Sequence, residues 1–243
     1  EPCLYGDDET KLHGRLVWAE EPGVSAGRRP GVLLVHTAVG PQDLFLRWRA
    51  ESLAAVGHVV LIVDCFGDAA GQAWDPAWSV PVREALAASP GLLRRRMLSG
   101  LAALTASCRV DASRLAACGF CFGGRAVLEL AKANPDGLGL VVSFHGVVDA
   151  APPPADVKAV RARTLLFHGD ADPFVPSSIL AACVDQLRQL GAKFELHSYG
   201  GVRHSFTNPA QALNTNPAFM YDARAAESSW QMTKMALGVL GAA

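Results

Sequence analysis

An α/β fold, with a mainly parallel central sheet and helices on both faces, is what this sequence predicts, and three observations predict it. Short runs such as residues 32–35 and 59–63 are apolar at every position, as strands buried on both faces require. These runs alternate with stretches of helical periodicity. Most of them end in a loop rich in glycine, histidine and aspartate, and open α/β sheets bind ligands beyond their strands' carboxyl ends. The 243 residues, half of them hydrophobic, suffice for one large domain over 1–243 with a substantial core.

In chain order, residues 12–18 read as an early strand and 21–30, rich in Pro, Gly and Arg, as a loop. The buried run 32–35 ends at His36-Thr37-Ala38-Val39-Gly40-Pro41. Asp43 is placed to cap a helix whose Leu46, Ala50, Leu53 and Ala54 share a face and which Gly57 ends. Residues 59–63 form the next strand, closed by Asp64-Cys65-Phe66-Gly67-Asp68. Residues 69–81, with Trp74 and Trp78, read as a loop long enough to line a site. Residues 81–88 and a helix from 91 to about 105 follow, its buried stripe marked by Leu93, Met97, Leu101 and Leu104, with Arg94-Arg95-Arg96 on an exposed face.

Asp111 and Ser113 lead into the apolar run 115–118. After Gly119-Phe120-Cys121-Phe122-Gly123-Gly124, helical spacing of Ala126, Val127, Leu130 and Ala131 continues to Asn134-Pro135. Strands are expected again over 140–144, 164–167 and 194–199. Ser177 is the expected cap of a helix with Ile179, Cys183, Leu187 and Leu190 on one face, and a final helix carries Ala226, Trp230, Thr233, Leu237 and Leu240.

The strand, sharp turn and helix around Cys121 have the form G-x-S-x-G with sulfur in place of oxygen. Such a turn strains its central residue, lifts that side chain above the sheet, and aims the next backbone N–H at the same space. A phosphate-binding loop shares the glycine spacing, but Arg125-Ala126 replaces the Lys and hydroxyl residue it needs. Simple packing of a small thiol is the bland alternative for Cys121, since the chain holds five other cysteines. The elbow context favours a nucleophile.

Cys121, Asp172 and His204 then follow in the nucleophile, acid, histidine order of the α/β-hydrolase fold. His204 would exchange protons with the thiol and the leaving group, and Asp172 would fix its tautomer. Asp172 is preferred to Asp170 because it lies farther into its loop. The expected oxyanion donors are the N–H groups of Phe122 and Ala38. His36, His145 and His168 stand at strand ends without ligand-type spacing, so they read as core or rim histidines and no metal is expected.

Those motifs, together with His168-Gly169-Asp170-Ala171-Asp172-Pro173-Phe174-Val175-Pro176, Gly201-Val202-Arg203-His204-Ser205-Phe206 and residues 64–68, resemble the dienelactone hydrolase family over nearly the whole chain. The resemblance implies a Cys121, His204, Asp172 triad that hydrolyses esters or lactones without a cofactor. Two positions depart from the family's archetypes. Thr37 stands where they carry a glutamate that pairs with the cysteine, and Asn208 where they carry an arginine for the substrate carboxylate. The fold and triad carry over, whereas the archetypal dienelactone substrate does not. Arg83 is a possible replacement cation, read first as a surface helix residue.

Thr37, Phe66, Trp74, Trp78, Phe174, Phe206 and Asn208 are the expected pocket lining, and its apolar members suggest a hydrophobic or aromatic acyl or alcohol group. Lys and Arg number 22 against 23 Asp and Glu, which gives no electrostatic case for nucleic acid or a membrane surface. The expected partner is a small ester or lactone. Six scattered cysteines suggest reduced thiols and a cytoplasmic location, although the chain opens at Glu1 and leaves room for a removed leader. Two rivals use the same residues: a non-catalytic binding protein, and a redox pair of Cys121 with Cys118.

Overall fold

A computed structural model describes residues 1–6, 10–20, 27–67, 75–149, 153, 155, 157 and 159–241. Eight strands form one sheet in the order β1-β2-β4-β3-β5-β6-β7-β8. They are β1 (Pro2–Gly6), β2 (Lys11–Val17), β3 (Arg29–Val35), β4 (Val59–Val63), β5 (Val110–Phe120), β6 (Leu138–Phe144), β7 (Arg163–Gly169) and β8 (Phe194–Tyr199). Pairings from β4 through β8 are parallel, and β1 and β2 add an antiparallel edge. The helices are α1 (Leu44–Ala54), α2 (Pro76–Ala88), α3 (Pro90–Thr105), α4 (Phe122–Ala133), α5 (Ser177–Gln189) and α6 (Ala223–Gly241), with a short 3-10 helix at Pro209–Leu213.

The apolar runs become central strands because successive side chains enter two different cores. Leu33, Val35, Leu61 and Val63 pack with Leu93, Met97 and Val127 of α3 and α4 on one face. Val32, Leu34, Val60 and Ile62 pack with Leu46, Leu53 and Leu237 of α1 and α6 on the other. Each such buried side chain stabilises the fold by about 1.5–3 kcal/mol relative to exposure. Among the described residues, no helix is long and apolar enough to cross a membrane.

Several local expectations need correction. Residues 76–81 are not loop but the first half of α2: the Asp75 carboxylate accepts from Ala77 N–H, Pro76 takes the first turn and Pro81 is carried inside the helix. Proline is well suited to a first turn, so the Asp75-Pro76 pair was a start signal. Ser177 is not a cap; Pro176 occupies that position and no side chain caps α5. Asp111 and Ser113 belong to β5 itself, Asp111 pairing with Pro30 just before a register irregularity and Ser113 lying within it. The arginine triplet is not uniformly exposed. Arg96 is buried and donates to Cys65 O and Thr10 Oγ1, while Arg94 reaches the buried Glu129. Residues 21–26 and 68–74, including Asp68 and the expected pocket residue Trp74, lie outside the described residues.

Candidate active site

The site forms where the loops after β3, β5, β7 and β8 converge. At its centre, Cys121 joins β5 to α4 with φ 55° and ψ −115°, a conformation ordinary L residues avoid. Tight packing enforces it. A Cβ on Gly119 would collide with the Gly123 carbonyl, and one on Gly123 would collide with the carbonyls of Val35 and His36. The turn is pinned through Cys121 itself: its N–H donates to Phe144 O at 3.0 Å, and its carbonyl accepts from Gly124 and Val147 at 3.0 and 3.1 Å.

His204 reaches the thiol from the loop after β8, and its side chain hydrogen-bonds Cys121. Its Nδ1 lies 2.6 Å from Asp172 Oδ2, while Oδ1 of the same carboxylate accepts from Phe174 N–H at 2.9 Å. Asp170 is exposed and makes no such contact. The backbone holds the imidazole from both sides, with His204 N–H donating to Ala218 O and Met220 N–H donating to His204 O. Farther along the loop, Thr207 O accepts from Arg49 of α1, which is sandwiched between Trp48 and Trp230 at 4.2 and 4.3 Å. Thr207 Oγ1 lies 2.8 Å from His145 Nε2, and the His145 ring meets His204 edge-on at 5.2 Å.

Charge follows from these contacts. Burial alone would raise the Cys121 thiol, but the His204 charge, the His204 hydrogen bond and the N–H groups of Phe122 and Ala38 outweigh it and lower the pKa. Burial likewise opposes a charged His204, yet the Cys121 charge and the Asp172 hydrogen bond raise it to about 10. Both shifts favour a thiolate beside an imidazolium. His36, His145 and His168 are all lowered, chiefly by burial, and remain neutral near pH 7. Burial pushes Cys118 up to about 12, and its side chain packs with Val32 and Leu34 in the core on the α1 and α6 side. That placement removes Cys118 as a ready partner for Cys121.

A cavity of about 310 Å³ opens beside Cys121 and His204, lined also by Ala38, Phe122, Val147, Phe174 and Phe219, with Arg83, Glu84, Ala87 and Arg125 on one wall. Phe174, expected in the pocket, lines this cavity. The other described pocket expectations stand elsewhere. Phe66 packs against Phe122 and meets Trp78 in a T-shaped contact, and Phe206 is fully buried against Tyr199 and His145. Thr37 Oγ1 accepts from Val39 N–H, and Asn208 caps the 3-10 helix. Arg83 comes to the cavity because 76–88 is helical, so the Asp75-Pro76 signal could have found it. Arg125, next to the elbow glycines, ion-pairs with Asp149 and donates to Ala87 O, tying α2 to α4. Phe219 lies in an irregular stretch with no periodicity to mark it. Among the described residues, no group of three or more His, Cys, Asp or Glu could hold a metal.

Residues 16–240 match the model of the dienelactone hydrolase family. The chain belongs to that family. Its structure is similar to that of a dienelactone hydrolase-like promiscuous phosphotriesterase from metagenomic libraries, with TM-score 0.89, 34% identity and coverage of 99% of this chain and 97% of that one. A Bradyrhizobium protein described as a probable 2-oxo-3-(5-oxofuran-2-ylidene)propanoate lactonase is 29% identical over 239 residues, 93% of this chain and 90% of that protein. A mouse carboxymethylenebutenolidase homolog is 24% identical over 188 residues, 76% of this chain and 73% of that protein. The family's mainly parallel sheet and ester- and lactone-hydrolysing type of enzyme therefore apply here, which sets aside a purely non-catalytic binding protein.

Proposed function

We propose that this dienelactone hydrolase family member cleaves small carboxylic esters or lactones through Cys121, His204 and Asp172, by way of a thioester and without a cofactor, in one domain spanning the chain. The observation that carries the reading is the convergence on one sulfur of an imidazole and two backbone N–H groups. The thiolate attacks the carbonyl carbon. Negative charge moves to the carbonyl oxygen, for which the N–H groups of Phe122 and Ala38 are the donors. Collapse breaks the carbon–oxygen bond to the leaving group, which takes the proton from His204, and a thioester remains on Cys121.

Acylation also resets the base. Once Cys121 carries an acyl group, its negative charge no longer raises His204, and burial favours the neutral ring. Neutral His204 then takes a proton from water as the water attacks the thioester, and the thiolate leaves. Asp172 keeps Nδ1 protonated throughout, so Nε2 is the atom that exchanges protons.

The cavity of about 310 Å³ suits a small substrate, apolar on the Phe174 and Phe219 side and open to an anionic group near Arg83. A direct test is turnover of aryl esters, unsaturated lactones with and without a carboxylate, and a phosphate triester by wild type and Cys121→Ala. Turnover of an ester or lactone that disappears in the variant supports the reading. Equal turnover by both proteins, or preference for the phosphate triester alone, contradicts it.

A further inference from the structure

We propose that His36 is a positioning residue for the oxyanion site, an inference that rests on the acyl-transfer reading above. His36 follows β3 and is fully buried. Its Nδ1 lies 2.6 Å from Thr37 O, and its Nε2 lies 3.1 Å from the backbone nitrogen of Cys65, just past the end of β4. A carbonyl only accepts and a backbone N–H only donates, so the two contacts set the tautomer: Nδ1 carries the proton and Nε2 the lone pair. One neutral imidazole thus ties the loop after β3 to the loop after β4.

The consequence follows from peptide geometry. Thr37 C=O and Ala38 N–H belong to the same peptide unit, and the described chain has no cis peptide bonds. In a planar trans unit the two bonds point in opposite directions. Holding Thr37 O therefore holds the Ala38 N–H that donates to Cys121 Sγ. The same ring also lies at 19° to Phe122, with centroids 5.6 Å apart, and meets the Phe66 edge at 4.4 Å. His36 thus touches the peptide of one oxyanion donor and the side chain of the residue that supplies the other. Thr37 contributes here through its carbonyl, which also accepts from Gly40 N–H.

The test compares His36→Phe, which keeps a stacking ring and loses both hydrogen bonds, with His36→Gln, whose amide restores one donor and one acceptor. Removing an oxyanion donor outright costs on the order of 100- to 1,000-fold in kcat, so loosening one is expected to slow single-turnover acylation about 10- to 100-fold in His36→Phe, with KM little changed. Alkylation of Cys121 by iodoacetamide, measured where the thiolate is fully formed, builds no oxyanion and should keep the wild-type rate. His36→Gln should recover most of the acylation loss. Wild-type acylation in His36→Phe, or equal losses in acylation and alkylation, would overturn the proposal. Amide hydrogen exchange gives a readout independent of turnover: Ala38 and Cys65 should lose protection in His36→Phe while β5 keeps its own. If wild type forms no acyl-enzyme, the functional reading fails, and retained protection of both amides would separately refute the role of His36.

Discussion

Asp172 Oδ2 lies 2.6 Å from His204 Nδ1, while Asp170, two residues earlier on the same loop, is exposed. The two carboxylates therefore make opposite predictions. Asp172→Asn keeps the shape but can offer an N–H toward Nδ1, favouring the wrong tautomer; a drop of about 10³- to 10⁴-fold in kcat is expected. Asp170→Asn should leave kcat within about twofold, as surface changes away from special features do. Steady-state kinetics on one ester decides between them.

The Cys121–His204 pair predicts a distinctive pH profile. The thiol is lowered from its ordinary 9.0, so alkylation should rise with pH through a midpoint below 9.0 and then level off. His204→Gln removes both the charge and the hydrogen bond that oppose burial, so the midpoint should move up. The imidazole is raised, so turnover that needs its proton should fall as pH rises through about 10. Linkage has matching signs: the thiol's stabilising share is lost as pH falls through its lowered pKa, and the imidazole's as pH rises through about 10. A wild-type alkylation midpoint at or above 9.0 would refute the ion pair.

Arg83 gives the cavity wall its selectivity in this account. For an ester or lactone bearing a carboxylate, Arg83→Gln should raise KM roughly tenfold or more, the scale of one charge-assisted hydrogen bond. A neutral analogue should be unaffected. Equal effects on both substrates would mean that Arg83 shapes the wall without reading charge.

A separate prediction concerns stability. Glu129 of α4, 1% exposed, bridges Lys132 of the same helix at 2.8 Å and Arg94 of α3 at 2.6 Å. Glu129→Ala would leave two cations without that carboxylate, and breaking a buried pair from one side costs about 3–5 kcal/mol. Glu129→Leu combined with Lys132→Met should recover much of that loss in urea unfolding, because no buried lysine then remains to be neutralised. A loss below about 1 kcal/mol for Glu129→Ala, the range of exposed pairs, would show that water screens the cluster.

The central strands were legible because two-sided burial writes itself as unbroken apolar text, and β4 at 59–63 needed no other signal. The candidates Cys121, Asp172 and His204 stand out in the sequence because each lies just beyond such a run, Cys121 and His204 in glycine-containing turns and Asp172 directly before a proline. The cavity wall does not. Its charged face comes from α2, whose two prolines and Trp78 look like loop text, and its shape depends on the Arg125 contacts to Ala87 and Asp149. Aromatic residues near the site were a poor guide, because Phe66, Trp78 and Phe206 serve as packing behind the wall. Strand β1 escaped notice because only five residues, opened by a proline, carry it. Single side chains that orient a loop, such as His36 and Arg49, leave no periodic trace at all.

The central claim is that Cys121 carries the acyl group. Rapid quenching of wild type with an aryl ester, followed by mass spectrometry of the intact and digested protein, tests it most directly. The account predicts a burst of released phenol and an acyl mass on the peptide containing Cys121, both absent in Cys121→Ala. Turnover with no burst and no adduct, or an adduct that persists in Cys121→Ala, would contradict it.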